Sequence, residues 1–232
     1  MRYFKAFIVR LLLFFGYKIQ KIKAGNNENY AGMSSNSARF FFRTYCYNQT
    51  KLLKGDLVEC GVGSGYGLLF LKNLQRQSED FRTIWAFDTF EGFPKGTKGK
   101  DADWFIDNGR PDYTEYNQDS VIKKIKTTNL SDKELSNVKM VKGFFPKTFE
   151  NCSIKNVALV NIDVDLYQST KDAIQFFWPL LCKGGIAMLD EYDRGTDVKK
   201  WPGPKIAIDE FCKQENIILN RHFTGMVFLI KA

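Results

Sequence analysis

Four acidic residues follow two short apolar runs in the second half of the chain. Asp163 and Asp165 come at the end of one run, and Asp190 and Glu191 at the end of the next. If the two runs are neighbouring parallel strands, these carboxylates converge at the edge of the sheet where α/β proteins bind ligands. Converging carboxylates repel one another without a cation, and hard oxygen ligands suit Mg²⁺, Mn²⁺ or Ca²⁺. The pattern predicts a divalent-metal site.

A simpler interpretation of these acids stays open. Helix N-caps and solvated loops also carry Asp and Glu, and neither needs a metal. Asp165 fits this simpler interpretation better than the other three acids, and we expect it to stand apart from the metal ligands.

A glycine-rich turn lies earlier in the chain, where Gly61, Gly63 and Gly65 follow the apolar run 57–60. Glycines let a ligand come close to the backbone, and the helix after the turn offers unpaired N–H groups. Doubly wound proteins use such a turn for NAD, FAD or S-adenosylmethionine, and some use it only to turn the chain. The turn alone leaves these alternatives open.

Another apolar run ends in Asp88, twenty-seven residues after Gly61. An acid at this strand end accepts hydrogen bonds from the hydroxyls of a ribose, so it indicates an adenosine-type cofactor. Asp88 does not separate NAD from S-adenosylmethionine. The acids later in the chain do, because hydride transfer has no need of converging carboxylates.

Short apolar runs alternate with longer helical stretches from residue 56 onward, which is typical of β-α units that build a parallel sheet. We predict strands at 57–60, 83–87, 138–141, 157–162 and 186–189. We predict helices at 34–53, 67–77 and 169–181, and a C-terminal antiparallel hairpin from the runs 216–220 and 226–230. The predicted fold is α/β, with a doubly wound, mostly parallel sheet of seven strands and helices at the N-terminus.

The segment 89–119 interrupts this alternation. It contains four glycines, two prolines and the aromatic residues Trp104, Phe105, Tyr113 and Tyr116. A long loop inside a compact domain is usually functional or disordered. We expect this segment to be a loop that forms a lid over the substrate, with its rings available to stack on it.

Length and charge limit what the whole molecule can be. The chain has 232 residues, 34 Lys and Arg, 26 Asp and Glu and 44% hydrophobic residues, which suits one domain with its own core. Residues 1–23 hold six cations and no acid, so the other 209 residues carry 28 cations and 26 acids. A nearly neutral body argues against a nucleic-acid partner, because binding to phosphate backbones depends on clustered Lys and Arg.

Residues 1–23 predict a basic amphipathic helix, separate from a single domain at 24–232. Their longest apolar run, 11–15, is too short to span a bilayer. Such a helix either lies on an anionic membrane as a peripheral contact or packs against protein, which is its own domain or another subunit of a homo-oligomer. We favour packing against protein. Five dispersed cysteines indicate neither disulfides nor a zinc site, so we expect a cytoplasmic protein.

Six stretches of the sequence occur in an order that points to one protein family. They are VECGV from residue 58, FDTFEGFP from 87, GFFPKT from 143, IDVDLYQSTKDA from 162, GG before DEY at 184–192, and WPG before AIDEF at 201–211. Together they resemble the macrocin O-methyltransferase family, from about residue 33 to the C-terminus. The resemblance implies a class I methyltransferase that uses S-adenosylmethionine and Mg²⁺ (or Mn²⁺) to methylate sugar hydroxyls of natural products.

The resemblance also implies roles for individual residues. The positions expected to contact S-adenosylmethionine are Met33, Ser34, Glu59, Gly61, Gly63, Asp88, Thr89, Phe90, Gly143 and Phe144. Glu59 and the two glycines would meet the methionine end, Asp88 the ribose, and Phe144 the adenine. The expected metal ligands are Asp163, Asp190 and Glu191.

Two positions depart from the family pattern. The family more often has Asp-Asp where this chain has Asp190 and Glu191, and its glycine-rich turn usually differs from the one that contains Ser64. The longer Glu191 side chain still reaches a cation, so we retain it in the ligand set.

A base must remove the proton from the acceptor hydroxyl. Asp163 is the first candidate, because a metal ligand lies within reach of a hydroxyl at the metal, and His222, the only histidine, is the alternative. We expect a small-molecule or glycan acceptor with neighbouring hydroxyls. The alternatives are a phenolic or catechol-like acceptor, and a non-catalytic cofactor-binding module docked to a membrane or glycan-assembly partner. Leu166 stands where catechol-type enzymes have a lysine, which favours sugars.

Overall fold

The computed structural model describes residues 34–109, 111–128, 130–150, 152–193 and 200–232. The predicted helix at 1–23 and Met33 therefore lie outside the described residues. The strands are β1 Asp56–Cys60, β2 Ile84–Asp88, β3 Val138–Lys142, β4 Val157–Ile162, β5 Leu181–Leu189, β6 Asn220–Arg221 and β7 Val227–Ile230. In this part of the chain they form one seven-stranded sheet in the order β3-β2-β1-β4-β5-β7-β6.

The predicted fold class is confirmed, since β1 to β5 are parallel and β7 runs antiparallel to both β5 and β6. The helices are α1 Ser35–Thr50, α2 Tyr66–Ser78, α3 Lys100–Asn108, α4 Gln118–Lys126, α5 Asp132–Leu135, α6 Lys147–Glu150, α7 Tyr167–Phe177 and α8 Pro202–Glu215. Among the described residues, every helix is too short or too polar to traverse a bilayer.

Two hydrophobic clusters, one on each face of the sheet, account for the doubly wound arrangement. On β4, Val160 and Ile162 belong to the cluster that includes Phe177 of α7 and Phe211 of α8. Leu159 points to the other face and belongs to the cluster that includes α1, α2 and α4. All six residues of β4 are buried, as expected of a central parallel strand with helices on both sides.

The carboxyl ends of the four central parallel strands lie in one row. Cys60 of β1 pairs with both Phe87 of β2 and Ile162 of β4, and Ile162 pairs with Leu189 of β5. The row extends one residue further, since the Asp163 N–H donates to the Cys60 carbonyl at 2.9 Å and the Asp190 N–H donates to the Ile162 carbonyl at 3.1 Å. The register therefore brings the residues after these strands to one edge of the sheet.

Three predicted boundaries are wrong, for local reasons. The predicted helix at 169–181 ends instead at Phe177, because the apolar sequence continues through a turn into β5 and Leu181 pairs with Val157 of β4. The first helix is predicted to extend to residue 53, but the observed helix α1 ends at Thr50. The C-terminal hairpin is present, but its first strand is only Asn220–Arg221 rather than 216–220.

The segment 89–119 is not the loop that its glycines and prolines predict. It contains α3, bounded by Gly99 and Gly109, and it is anchored by a small aromatic core. Trp104 lies 4.3 Å from the ring of Trp201, and Phe93 lies 5.5 Å from the same ring. Trp104 and Phe105 therefore pack within the protein instead of facing a ligand.

The buried Asp101 fixes α3 to the start of α7. Its two carboxylate oxygens accept hydrogen bonds from the backbone N–H groups of Tyr167, at 2.7 Å, and Gln168, at 3.1 Å. These groups are the unpaired donors of the first turn of α7, so Asp101 acts as an N-cap supplied by another helix.

We predict that Asp101→Ala lowers the free energy of unfolding by about 1–2 kcal/mol, the usual cost of losing such a cap. The exposed Asp103 lies on the same helix and makes none of these bonds, so Asp103→Ala is the matched control. Urea denaturation of the two variants measures the difference, and equal losses of stability would contradict the capping role.

Candidate active site

A cavity of about 750 Å³ opens at the carboxyl edge of the sheet, beside the row of strand ends. One part of its lining is the glycine-rich turn with Gly61 and Gly63, and another is the pair Asp163 and Asp165 after β4. The segment 92–98 and the face of α7 that carries Ser169 complete the wall. This is where the doubly wound fold binds ligands.

Gly61 is required by the close approach of β1 to β4. Its φ is +86°, and a Cβ at this position would lie 1.7 Å from the carbonyl oxygen of Asp163. Gly67, at the start of α2, is equally confined, because its Cβ would lie 2.0 Å from Glu59 Oε1. The two glycines let the turn and the strand ends come together.

Asp88 connects the end of β2 to the glycine-rich turn. Its Oδ2 accepts hydrogen bonds from the N–H groups of Val62, at 2.8 Å, and Gly63, at 2.9 Å. Its Oδ1 accepts the N–H of Phe90 at 2.8 Å, and the side chain lies at the cavity lining. The backbone thus holds the predicted ribose-binding acid in a defined position.

The loop after β3 borders the same part of the cavity. The Gly143 N–H donates to the Asp88 carbonyl at 2.9 Å, which holds this loop beside the end of β2. Phe144 lies at the cavity lining with 43% of its surface exposed. An exposed ring at this position offers a flat apolar surface to an adenine.

The three predicted metal ligands come together. One carboxylate oxygen from each of Asp163, Asp190 and Glu191 lies within 4.8 Å of the others. Asp190 and Glu191 are buried, whereas 27% of the Asp163 side chain is exposed and it lines the cavity. Three convergent oxygens of this kind form a donor set suited to a hard divalent cation.

Two arginines of α1, which sequence reasoning missed, contact these acids. Arg39 Nε donates to both oxygens of Asp190, at 2.8 and 2.9 Å, and Arg39 Nη2 also donates to Asp190. Arg43 Nη2 donates to Asp163 at 3.1 Å, and Arg43 Nη1 lies 3.7 Å from Glu59 Oε1. The only local signal is that two arginines stand one turn apart on a helix with several aromatic residues.

Burial and mutual repulsion raise the pKa of most acids in the cluster. Removal from water, and then the charge of Asp190, raises the pKa of Asp163 to about 6. Burial and the charge of Asp163 raise the pKa of Glu191 well above its usual range. Burial also acts on Asp190, but the hydrogen bonds and charge of Arg39 outweigh it and hold its pKa below the usual range. The acid group carries more negative charge than Arg39 and Arg43 compensate, and a divalent cation would balance the remainder.

Glu59 is fully buried in β1 and still reaches the cavity lining. Its Oε1 accepts a hydrogen bond from Asn161 at 3.3 Å, but its buried Oε2 has no hydrogen-bond partner among the described residues. Burial raises the pKa of Glu59 to about 7, against the lowering effect of Arg43. An unpaired buried oxygen at the cavity is suited to accept a hydrogen bond from a ligand.

A comparison with models of protein families identifies the family of this chain. The model of the family described as macrocin O-methyltransferase (TylF) matches residues 46–221, more than half of the chain. The chain belongs to the macrocin O-methyltransferase family. The resemblance stated from the motifs is thereby confirmed.

Curated relatives match this chain over part of their length. The chain is 29% identical to demethyldecarbamoylnovobiocin O-methyltransferase of Streptomyces niveus, over 68% of this chain and 58% of the relative. It is 30% identical to the 8-demethyl-8-(2,3-dimethoxy-α-L-rhamnosyl)-tetracenomycin-C 4′-O-methyltransferase of Streptomyces olivaceus, over 60% of this chain and 53% of the relative. The chain thus spans less than two thirds of the length of these relatives.

Two solved structures support the fold. The O-methyltransferase NovP is similar with a TM-score of 0.72 and 25% identity, over 84% of this chain and 80% of that chain. The calicheamicin methyltransferase CalS11 has a TM-score of 0.63 and 26% identity, over 85% of this chain and 80% of that chain. The sheet and its helices are therefore those of class I methyltransferases.

His222, the alternative candidate for the base, is not part of the cavity lining. The histidine is 9% exposed, and its Nδ1 lies 2.8 Å from Thr224 Oγ1. The rings of Tyr45 and Phe223 lie 4.8 and 4.2 Å from its ring, and burial lowers its pKa. This environment accounts for His222 as part of the packing between α1 and the C-terminal hairpin.

Ser34 and Phe90 differ from the cofactor-contact role expected of them, whereas Asp165 stands apart from the metal ligands as expected. Ser34 caps α1, accepting the Ser37 N–H at 3.2 Å, and is not part of the cavity lining. Phe90 is 2% exposed and packs in the core, so only its backbone contacts Asp88. Asp165 lines the cavity but is not grouped with the metal ligands, and burial together with Asp163 raises its pKa to about 8.

We predict that Gly61→Ala destabilises the fold by roughly 3 kcal/mol or more, because the new Cβ combines a left-handed φ with a clash against the backbone of β4. Gly63→Ala is the control, since its φ is +49° but nothing lies within 4 Å of the added Cβ. We expect the control to cost about 1 kcal/mol. Urea unfolding separates the two, and comparable losses would show that the approach of Gly61 to Asp163 does not limit stability.

Proposed function

We propose that this protein transfers the methyl group of S-adenosylmethionine to a sugar hydroxyl of a glycosylated molecule, with a divalent cation at Asp163, Asp190 and Glu191. One observation carries the proposal: the row of strand ends brings a nucleotide-type turn and Asp163, one member of a three-carboxylate group, to the lining of one cavity. The family supports it, and so does the name of a relative, which specifies a rhamnosyl-bearing molecule.

The part of the cavity formed by β1, β2 and β3 suits the cofactor. S-adenosylmethionine supplies a methyl group that is already activated by its sulfonium. Glu59 would accept the ammonium of the methionine end, Asp88 the ribose hydroxyls and Phe144 the face of the adenine. The protein mainly has to hold the donor so that the acceptor oxygen lies in line with the transferred methyl group.

The acid group suits the acceptor side of the reaction. A divalent cation held by these acids would lower the pKa of a sugar hydroxyl and help to orient two neighbouring hydroxyls. Of the three proposed ligands, Asp163 is the one at the cavity lining, so it is the carboxylate that an acceptor hydroxyl can reach. We assign Asp163 as the base, with Arg43 holding its carboxylate at 3.1 Å.

The acceptor would lie between the acid group and the segment 92–119. Tyr113 and Tyr116 line the cavity with their rings 5.8 Å apart in a stacked pair. Such rings pack on the apolar face of a sugar, while Gln168 and Ser169 of α7 offer hydrogen bonds to its hydroxyls. This wall is consistent with a glycosyl acceptor.

The first test separates the cofactor and metal roles. We expect Asp88→Ala to weaken S-adenosylhomocysteine binding about tenfold or more while Mn²⁺ binding is unchanged, since a hydrogen bond to a charged group is lost. We expect Asp163→Asn to weaken Mn²⁺ binding and abolish Mg²⁺-dependent methylation of a glycoside panel, with S-adenosylhomocysteine binding retained. Calorimetry and Mn²⁺ paramagnetic resonance measure the two affinities.

Two results would overturn this assignment. One is the same loss of cofactor binding in both variants, which would indicate a general loss of structure. The other is release of S-adenosylhomocysteine at the same rate in EDTA and in Mg²⁺, which would remove the cation from the reaction. Circular dichroism of each variant checks that the fold is retained.

A second test concerns the arginine that covers the metal site. Arg39 lines the cavity, and its guanidinium donates to both oxygens of the buried Asp190. A cation held by Asp190 would therefore be close to a positive charge. We predict that Arg39→Met raises Mn²⁺ affinity about tenfold, because repulsion between the two cations is removed. Arg76→Met is the control, since Arg76 pairs with Glu134 outside the cavity lining. A lower Mn²⁺ affinity in Arg39→Met would mean that the arginine supports the metal.

A further inference from the structure

The cationic residues of the cavity lining differ in whether an acid compensates them. Arg39 and Arg43, at the deep end, contact the acid group. Lys95 and Lys98, on the segment 92–98, line the cavity as well, and neither has an ion-pair partner among the described residues. Both lysines are exposed, so their ammonium groups are available to a ligand.

Neighbouring lysines show that acids are available nearby. Lys100, two residues after Lys98, lies 3.1 Å from Glu210 Oε1. Lys142, on β3, lies 2.7 Å from Glu91 Oε1. Neither Lys100 nor Lys142 is part of the cavity lining. Lys100 and Lys142 are therefore paired with acids, whereas Lys95 and Lys98 have no such pair among the described residues.

The segment that carries Lys95 and Lys98 is fixed on both sides. Before it, the ring of Phe93 packs against Phe105 at 5.4 Å and against Trp201 at 5.5 Å. After it, Asp101 accepts the first N–H groups of α7. The two lysines thus belong to a wall whose ends are held by buried contacts.

We infer that the acceptor is a sugar that carries a phosphate, and that Lys95 and Lys98 bind this phosphate while the acid group receives the sugar hydroxyls. Two ammonium groups within four residues match the two negative charges of a phosphate monoester or of a diphosphate better than a single carboxylate. The inference rests on the proposed function, because it places the phosphate on the molecule that is methylated.

The test compares acceptors that differ only in charge. Each sugar of a panel is supplied as its neutral methyl glycoside, its 1-phosphate and its nucleoside diphosphate, and methylation is followed by release of S-adenosylhomocysteine. We expect KM for the phosphorylated forms to be about tenfold lower or more, as for charge-assisted contacts. The better of the two phosphorylated forms identifies the source of the phosphate.

The double variant Lys95→Ala/Lys98→Ala should raise KM for the phosphorylated acceptors to that of the neutral glycoside, with kcat and S-adenosylhomocysteine affinity unchanged. Lys100→Ala, the matched control, should behave as wild type. An unchanged KM ratio in the double variant, or equal KM values for charged and neutral sugars in wild type, overturns the inference. A loss of S-adenosylhomocysteine affinity in the double variant would also overturn it, because the lysines would then serve the cofactor.

A binding measurement keeps the inference separate from the proposed function. Calorimetry with inorganic pyrophosphate, on metal-free protein loaded with S-adenosylhomocysteine, requires no turnover. We expect wild type and Lys100→Ala to bind pyrophosphate and the double variant to bind at least tenfold more weakly. Equal binding by all three proteins contradicts the phosphate site even if methylation succeeds. If no acceptor is methylated, the proposed function fails while this measurement still decides the inference.

Discussion

The register of the four central parallel strands is the constraint on which the site depends. Cys60, Phe87, Ile162 and Leu189 are paired neighbours in one row, so the residues that follow them reach the same edge of the sheet. A slip of one residue in β4 would turn the strand's buried side chains to the opposite face, which the two hydrophobic clusters prevent. Core packing on both faces of the sheet therefore fixes the positions of the acids.

Charge compensation is the second condition, and it is met by a helix outside the β-α alternation. α1 supplies Arg39 to Asp190 and Arg43 to both Asp163 and Glu59. Buried carboxylates without a partner would cost several kcal/mol each, and so would the nearly buried guanidinium of Arg43. The arginines thus couple α1 to the ends of β1, β4 and β5, and they leave enough negative charge for a further cation. The charge of the site is therefore set in part by α1, a helix that carries none of the predicted metal ligands.

The sequence predicts those features that short local patterns encode, such as strands and the acids at their ends. The run 157–162, apolar except for Asn161, predicts β4, and the strand-end acids follow from that assignment. The arginine contacts could not be found in this way, because Arg39 and Asp190 are 151 positions apart and no local pattern connects them. The same holds for segment 89–119, where Trp104 packs on Trp201 from a distant part of the chain. His222 has a residue type that suits catalysis, but its burial between aromatic rings is a property of the tertiary structure alone.

The anchoring of segment 89–119 bears on how the cavity selects its ligand. A loop that orders only when the acceptor binds consumes binding energy, whereas a wall that is already held does not. Here the aromatic core around Trp201 and the bonds from Asp101 to α7 hold the segment against the body of the protein. The cavity of about 750 Å³ is therefore largely formed before the ligand arrives. Selectivity then depends on the shape and charge of that wall, because little of it remains to be ordered around a ligand.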